Sequence, residues 1–421
     1  MACLGHPTVK TPRLDQFAAE GVKFTSYFCV ATACSPSRGA IMTGRYSHAN
    51  GLIGLANRGW SLPETERTTV DHLNDAGYHT VNFGGQHERK ATSSYRYKHA
   101  GPPGRRKSDL LADDVCEFLK RHDPKIGPFY LNVYSQDVHA PWDRPEFLGK
   151  YNPDDIRPPA FLPNFPFVRK ALSAFYGSVS FMDAQVGRIL DTLRQTGLAE
   201  NTLVIFTTDH GISFPRAKSG IYDPGLTTAL LMRWPGRFKP GTVCNHLLSN
   251  VDLLPTQLDL LGLPIPKEIQ GRSFAPALLG GSYTPNEHVF AERNFHDDYD
   301  PMRAVRTSRY KLIRNYSERP RHKLPSEATE DDTFATLRTS DKPRPFEELY
   351  DLQKDPNEFS SVADDPAYAS ALQDMRQRLD KWMSDTGDYV RGAVEPIHSP
   401  ARDTNFLTPP PRPAGKTKKG A

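Results

Sequence analysis

Short apolar runs alternate with amphipathic stretches along this chain, and that alternation constrains the fold more than any other feature. "PFYLNVYS" (128–135) and "NTLVIFTTD" (201–209) are rich in β-branched and aromatic residues, as buried parallel strands are. Between them Phe175, Val179, Met182, Val186, Ile189, Leu190 and Leu193 fall on one face of a long helix, closed by Gly197. Upstream, "TPRLDQFAAEGVKF" places Leu14, Phe17, Ala18 and Val22 at helical spacing, with Gly21 near the stop. "TTVDHLNDAGYHTVNFGG" runs from a helix through Gly77 into a strand from Tyr78 to Phe83. This alternation predicts an α/β fold, a mostly parallel sheet sandwiched by helices.

Ligands of such sheets bind beyond the carboxyl ends of the strands. Polar residues collect there: "GGQHE" after one strand, "SQDVHAPW" after another and "TTDHG" after a third. His87, His139 and His210 therefore stand at three strand ends, the last two near Asp137 and Asp209. One loop histidine is ordinarily just solvated, but three at equivalent ends point to a site. A further stretch, "CSPSRGAIMTGRYSHANG", starts a polar turn with Cys34 and sets Arg38 four residues on. A buried structural cysteine normally has apolar neighbours. Either this is a turn entering a helix capped by Ser37, or Cys34 belongs to an active site.

The 421 residues, 38% hydrophobic and 24% charged, leave room for a large core plus a second unit. A formal charge of +4 is too small to argue for a nucleic-acid partner. No apolar run approaches the ~18 residues of a membrane span. Five scattered cysteines make no disulfide framework and no C-x-x-C zinc spacing. The N-terminal stretch lacks the apolar region of a signal peptide, and the sequence assigns no compartment. After residue 285 the pattern changes: "PMRAVRTSRYKLIRNY" alternates like an antiparallel strand, "ELYDLQKDPNE" ends a strand in a turn, and "PAYASALQDMRQRLDKWMSDTGD" is an amphipathic helix. Residues 317–346 read as a polar, Pro-rich loop. The expected organisation is a catalytic α/β domain over 1–285, a smaller C-terminal α+β domain over 286–399 and a disordered basic tail over 400–421.

"CSPSRGAIMTGR" resembles the signature of the type I sulfatases, C-x-P-S-R followed by T-G-R. "TTDHG", "GIYDPGLTTALLMRWPG", "VDLLPTQLDLLGLPIP" and "ELYDLQKDPNE" extend the likeness over nearly the whole chain. "HANGLIGL", "FTTDHGISFPRAKSGIY" and "DPMRAVRTSRYKLIRN" look closest to heparan N-sulfatase (sulfamidase)-like members. The resemblance implies the alkaline phosphatase-like fold and conversion of Cys34 to formylglycine by a formylglycine-generating enzyme, with Pro36 and Arg38 in its recognition signal. It also implies a divalent metal, calcium in the family, held by Asp209, His210 and the position-34 diol. Arg38 would hold the ionised diol, Lys218 would contact sulfate and leaving group, and His139 would protonate the leaving group. Asp137 would orient it or touch metal, and His87 would hold the diol and help its collapse. The implied reaction is hydrolysis of a sulfate ester or N-sulfate, on a sulfated carbohydrate.

Two departures stand beside the likeness. Family members begin with a strand ending in an Asp-Asp pair, whereas "MACLGHPTVKTPRLD" matches only the stretch after that pair. A central strand and two metal ligands are thus expected to be missing, leaving two unpaired strand edges, an apolar slot, weak metal binding and little activity. Gly85 stands where the family usually has a lysine contacting sulfate, and Arg89 or Lys90 is expected to reach in instead. A late gene start, a working variant and an inactive remnant all remain open. So do two other functions, a phosphonate or phosphate ester hydrolase of the same superfamily and an inactive sugar-binding protein.

Overall fold

The computed structural model describes residues 1–89, 96–296, 299–317, 343–388 and 390. Lys90, the expected basic tail and most of the expected Pro-rich loop lie outside the described residues.

The apolar runs form the expected strands: β1 (Val22–Phe24), β2 (Tyr27–Phe28), β3 (His79–Phe83), β4 (His99–Ala100), β5 (Phe129–Val133), β6 (Val204–Thr207), β7 (Leu230–Arg233), β8 (Thr242–Cys244) and β9 (Leu248–Ser249). They assemble as β4-β3-β5, as β6-β7-β1-β8 and as the pair β2-β9. Every pairing is parallel except those of β7, which runs against both β6 and β1. Helices α1 (Pro12–Glu20), α2 (Cys34–Thr43), α3 (Ser108–Arg121), α4 (Pro166–Gln195) and α5 (Leu253–Leu260) pack around these strands. The apolar face of α4 buries Leu172, Tyr176, Val179 and Leu190 against Leu14 and Phe17 of α1, and at about 1.5–3 kcal/mol per fully buried large side chain this contact is a main source of stability. Gly197, at φ +73, follows the helix in the left-handed conformation that its missing Cβ permits.

Among the described residues β5 pairs only with β3, and β6 only with β7. Their other edges face a cleft of about 1610 Å³. Leu131 and Val133 of β5, Ile205 of β6, Val186 and Ile189 of α4, and Leu253 of α5 are among its lining residues. Its polar end carries Cys34, Asp209 and His210. The cleft leaves β5 and β6 only half-buried.

The later segments form one antiparallel sheet, β10 (His288–Phe295), β11 (Tyr299–Thr307), β12 (Tyr310–Asn315) and β13 (Glu347–Asp351), in that order. "PMRAVRTSRYKLIRNY" is a hairpin of two strands turning at Ser308 and Arg309, rather than one strand. Helix α6 (Ala369–Thr386) covers the sheet with Leu372, Met375, Leu379 and Trp382. Among the described residues no helix is long and apolar enough to cross a membrane. All five cysteines are free thiols.

Candidate active site

Cys34 is the first residue of α2, buried to 6% exposure, with Ala33 rather than Ser37 at the cap. Ser37 lies one turn inside the helix. Its hydroxyl donates to the Asp209 carbonyl and accepts from Asn250 Nδ2 at 2.9 Å. The sequence reading of Ser37 as a cap is therefore corrected: the helix starts four residues earlier, and the hydroxyl fixes the loop after β6. A thiol at a helix N-terminus already feels the positive end of the helix dipole.

The ends of β5 and β6 bring the other groups to it. Cys34 Sγ lies 3.2 Å from His210 Nε2, while His210 Nδ1 donates to the Gly211 carbonyl at 2.7 Å. Arg38 Nε donates to Asp209 Oδ2 at 2.9 Å, and its guanidinium stacks 3.7 Å above the Tyr134 ring centroid. Lys218 Nζ is 3.2 Å from His139 Nε2. Burial alone would push the Cys34 thiol up, but Lys218, His210 and the His139 hydrogen bond together hold it well below its usual range. Burial would likewise raise Asp209, yet His210 and Arg38 pull it down. His210 is raised against its own burial by Asp209 and Cys34. The result is a thiol position ringed by cations and potential proton donors.

The Lys218 loop is held from the C-terminal sheet. Arg216 and Ser219 adopt left-handed φ values of +65 and +64, a conformation that costs non-glycine residues free energy and needs outside support. Ser219 donates its N–H to Thr32 at 3.0 Å, and its carbonyl accepts from Arg293. Arg216 donates to the Glu358 carbonyl at 2.8 Å. Lys311, fully buried, ties the same region together through Asp223 at 3.0 Å and Glu358 at 2.7 Å.

Cys34, Arg38, His139, Lys218, Asp209 and His210 thus converge. His87 does not join them by hydrogen bond, and its Nδ1 is buried without a partner among the described residues. Asp137, expected to orient a histidine or touch metal, is engaged by other partners. It accepts from the Ser108 N–H at 2.7 Å and from Arg144 at 2.8 Å, because the start of α3 presents it with free N–H groups. Arg89, expected to replace the lysine missing at Gly85, turns away to the Pro63 and Glu66 carbonyls and to Glu64. Tyr134, Ser37 and Asn250 escape sequence reasoning, since their roles arise from contacts between distant segments.

Cys34, Asp209 and His210 are the only group of three or more potential metal ligands found together among the described residues, their ligating atoms all within 4.8 Å of one another. A hard cation such as calcium takes six to eight oxygen ligands. This cluster offers sulfur, a ring nitrogen and one carboxylate whose oxygens already accept from Arg38 and from the His210 N–H. The described residues do not by themselves fit calcium.

The sulfatase family model matches residues 1–263, and a model described as "N-sulphoglucosamine sulphohydrolase, C-terminal" matches residues 216–341. An ulvan-active sulfatase of Formosa agariphila is 29% identical, over 92% of this chain and 78% of that protein. Human N-sulphoglucosamine sulphohydrolase is 30% identical, over 90% of this chain and 86% of its own. A solved structure in complex with its substrate D-glucosamine-2-N,6-O-disulfate superposes with a TM-score of 0.77 at 20% identity, covering 94% of this chain and 97% of that one. The phosphonate monoester hydrolase of Silicibacter pomeroyi does so at 0.71 and 18% identity, covering 94% of each chain. The family model covers well over half of the chain and the human relative is matched along most of both chains: the chain belongs to the sulfatase family.

Proposed function

We propose that the chain hydrolyses a sulfate ester or N-sulfate on a sulfated carbohydrate, with position 34 as nucleophile. The observation that carries this reading is the convergence of Lys218, His139 and His210 on Cys34. Sugar substrates are supported by the names of relatives that act on ulvan and N-sulphoglucosamine.

The family in general uses formylglycine and a metal ion. Converted to the aldehyde hydrate, position 34 would supply a geminal diol, a nucleophile whose sulfate ester can leave by return of the aldehyde. The remaining chemistry falls to side chains already in place. Arg38, held by Asp209 and Tyr134, favours the ionised hydroxyl at position 34. Lys218 meets the charge that develops on sulfate and leaving atom, in a buried setting where that charge is weakly screened. His139, its Nε2 beside Lys218, gives a proton to the departing oxygen or nitrogen. His210 keeps position 34 in register through its bond to Gly211.

Mass spectrometry of the Cys34 peptide after co-expression with a formylglycine-generating enzyme, with side-by-side turnover of aryl sulfate and aryl phosphonate, tests the reading. Aldehyde at position 34 and preference for sulfate are expected. A free thiol throughout, or preference for phosphonate, contradicts it.

A further inference from the structure

The end of β3 carries two glycines, and at both the missing side chain decides what can stand nearby. Gly84, at φ +92, lets the backbone come so close that a Cβ would stand 2.0 Å from the Tyr134 carbonyl oxygen. Tyr134 is the ring beneath Arg38, so this contact sets the end of β3 beside the catalytic cluster. Gly85, at φ +99, leaves the next position open. A Cβ built there would lie 3.5 Å from both Nε and Nη2 of Arg106. The guanidinium of Arg106 therefore occupies the space a side chain at position 85 would enter.

Arg106 is placed there by its own backbone. Its carbonyl accepts from the Gln136 N–H at 2.9 Å, which pins it to the loop that carries His139 three residues later. Its neighbour Arg105 pairs instead with Asp114 at 2.8 Å. Arg106 is a partly exposed residue, and its guanidinium has no hydrogen-bond or ion-pair partner among the described residues. A guanidinium so placed is available to an anionic ligand. Two residues after Gly85, the buried Nδ1 of His87 is also without a partner among the described residues. Both groups therefore stand beside the loop that leaves β3, Arg106 across from Gly85 and His87 two residues after it.

We propose that Arg106 is a sulfate-binding residue of this site, its guanidinium taking two oxygens of the substrate's sulfate across the gap left by Gly85. A planar fork of donors matches two oxygens of a tetrahedral anion in a way a lysine ammonium does not. The inference rests on the proposed sulfatase reading for the identity of the anion, and on the geometry at Gly85 for the residue.

The test measures binding apart from turnover. Inorganic sulfate is titrated calorimetrically into the full chain and into its Arg106→Ala, Arg106→Lys and Arg105→Ala variants, and aryl sulfate kinetics are run on the same proteins. Arg106→Ala is expected to weaken sulfate binding about 10–100-fold, the usual range for a hydrogen bond to a charged group. Arg106→Lys should recover part of that loss and Arg105→Ala should bind like the parent. Millimolar guanidinium should restore part of the affinity of Arg106→Ala, which repair of a merely structural defect would not do. Sulfate binding that is undetectable in the parent, or within twofold in Arg106→Ala, overturns the subsite. Arg106-dependent binding without aryl sulfate turnover leaves the subsite standing and overturns the catalytic reading.

Discussion

Lys218 Nζ and His139 Nε2 stand 3.2 Å apart, although 79 residues separate them in the chain. The ammonium is almost fully buried at 1% exposure. It is carried on a loop that the C-terminal sheet holds in a left-handed conformation, so the histidine and the lysine reach Cys34 from separate parts of the sequence.

That pairing predicts how His139→Ala behaves. General-acid help is worth about 10²–10⁴-fold, but only where the leaving atom needs a proton. The variant should lose activity on alkyl or sugar sulfates far more than on activated aryl sulfates. Equal losses on both classes would assign His139 to binding or structure.

Reactivity of the unconverted chain tests the electrostatics. The surroundings of Cys34 hold its thiol well below the ordinary value of 9.0. A group whose folded value is depressed is ionised from a lower pH upward, so alkylation by iodoacetamide should reach its plateau below the pH needed by an ordinary thiol. Lys218→Met removes the strongest opposing charge and should move the inflection up. An unchanged inflection would show that Lys218 does not act on Cys34.

Much of this site is legible in the sequence because chemistry and strand ends coincide. The runs before His87, His139 and His210 are short, β-branched and aromatic, and each does end in a polar loop. Arg38 four residues after Cys34 lies one helical turn on, which local spacing reveals. Asp137 misleads because its adjacency to His139 is a matter of sequence, whereas its partners Ser108 and Arg144 come from the start of α3 and the following loop. Ser37 and Asn250 act through contacts that no local pattern encodes, and the approach of Arg106 to Gly85 is equally long-range. Arg106 in particular owes its place to a side chain that Gly85 lacks.

Ser37 offers a stability test. Its hydroxyl is fully buried between the Asp209 carbonyl and Asn250 Nδ2. Ser37→Ala leaves a buried carbonyl without its donor, which costs about 1–3 kcal/mol. Urea denaturation should show that loss in the midpoint with the slope unchanged. A shift under about 0.5 kcal/mol, the usual range for surface substitutions, would mean the bond is not formed.

The cleft between β5 and β6 predicts a gain on filling. Two half-buried strand edges expose backbone groups that another strand would satisfy. A β-run ending in two aspartates, fused ahead of Met1, should raise the melting temperature, and added calcium should raise it further in the fusion than in the chain alone. It should also increase aryl sulfate turnover, since the added carboxylates supply the oxygen ligands the cluster lacks. Identical melting and metal response in both proteins would show that the cleft does not accept a strand.

The most direct test of the central claim follows the aldehyde content of position 34 against turnover. Preparations with graded conversion, quantified by mass spectrometry of the Cys34 peptide, are assayed on aryl sulfate in the chain and in the strand fusion. Turnover in proportion to the aldehyde fraction, and none in Cys34→Ala, is the predicted result. Undiminished turnover in Cys34→Ala, or none from either fully converted protein, would contradict it.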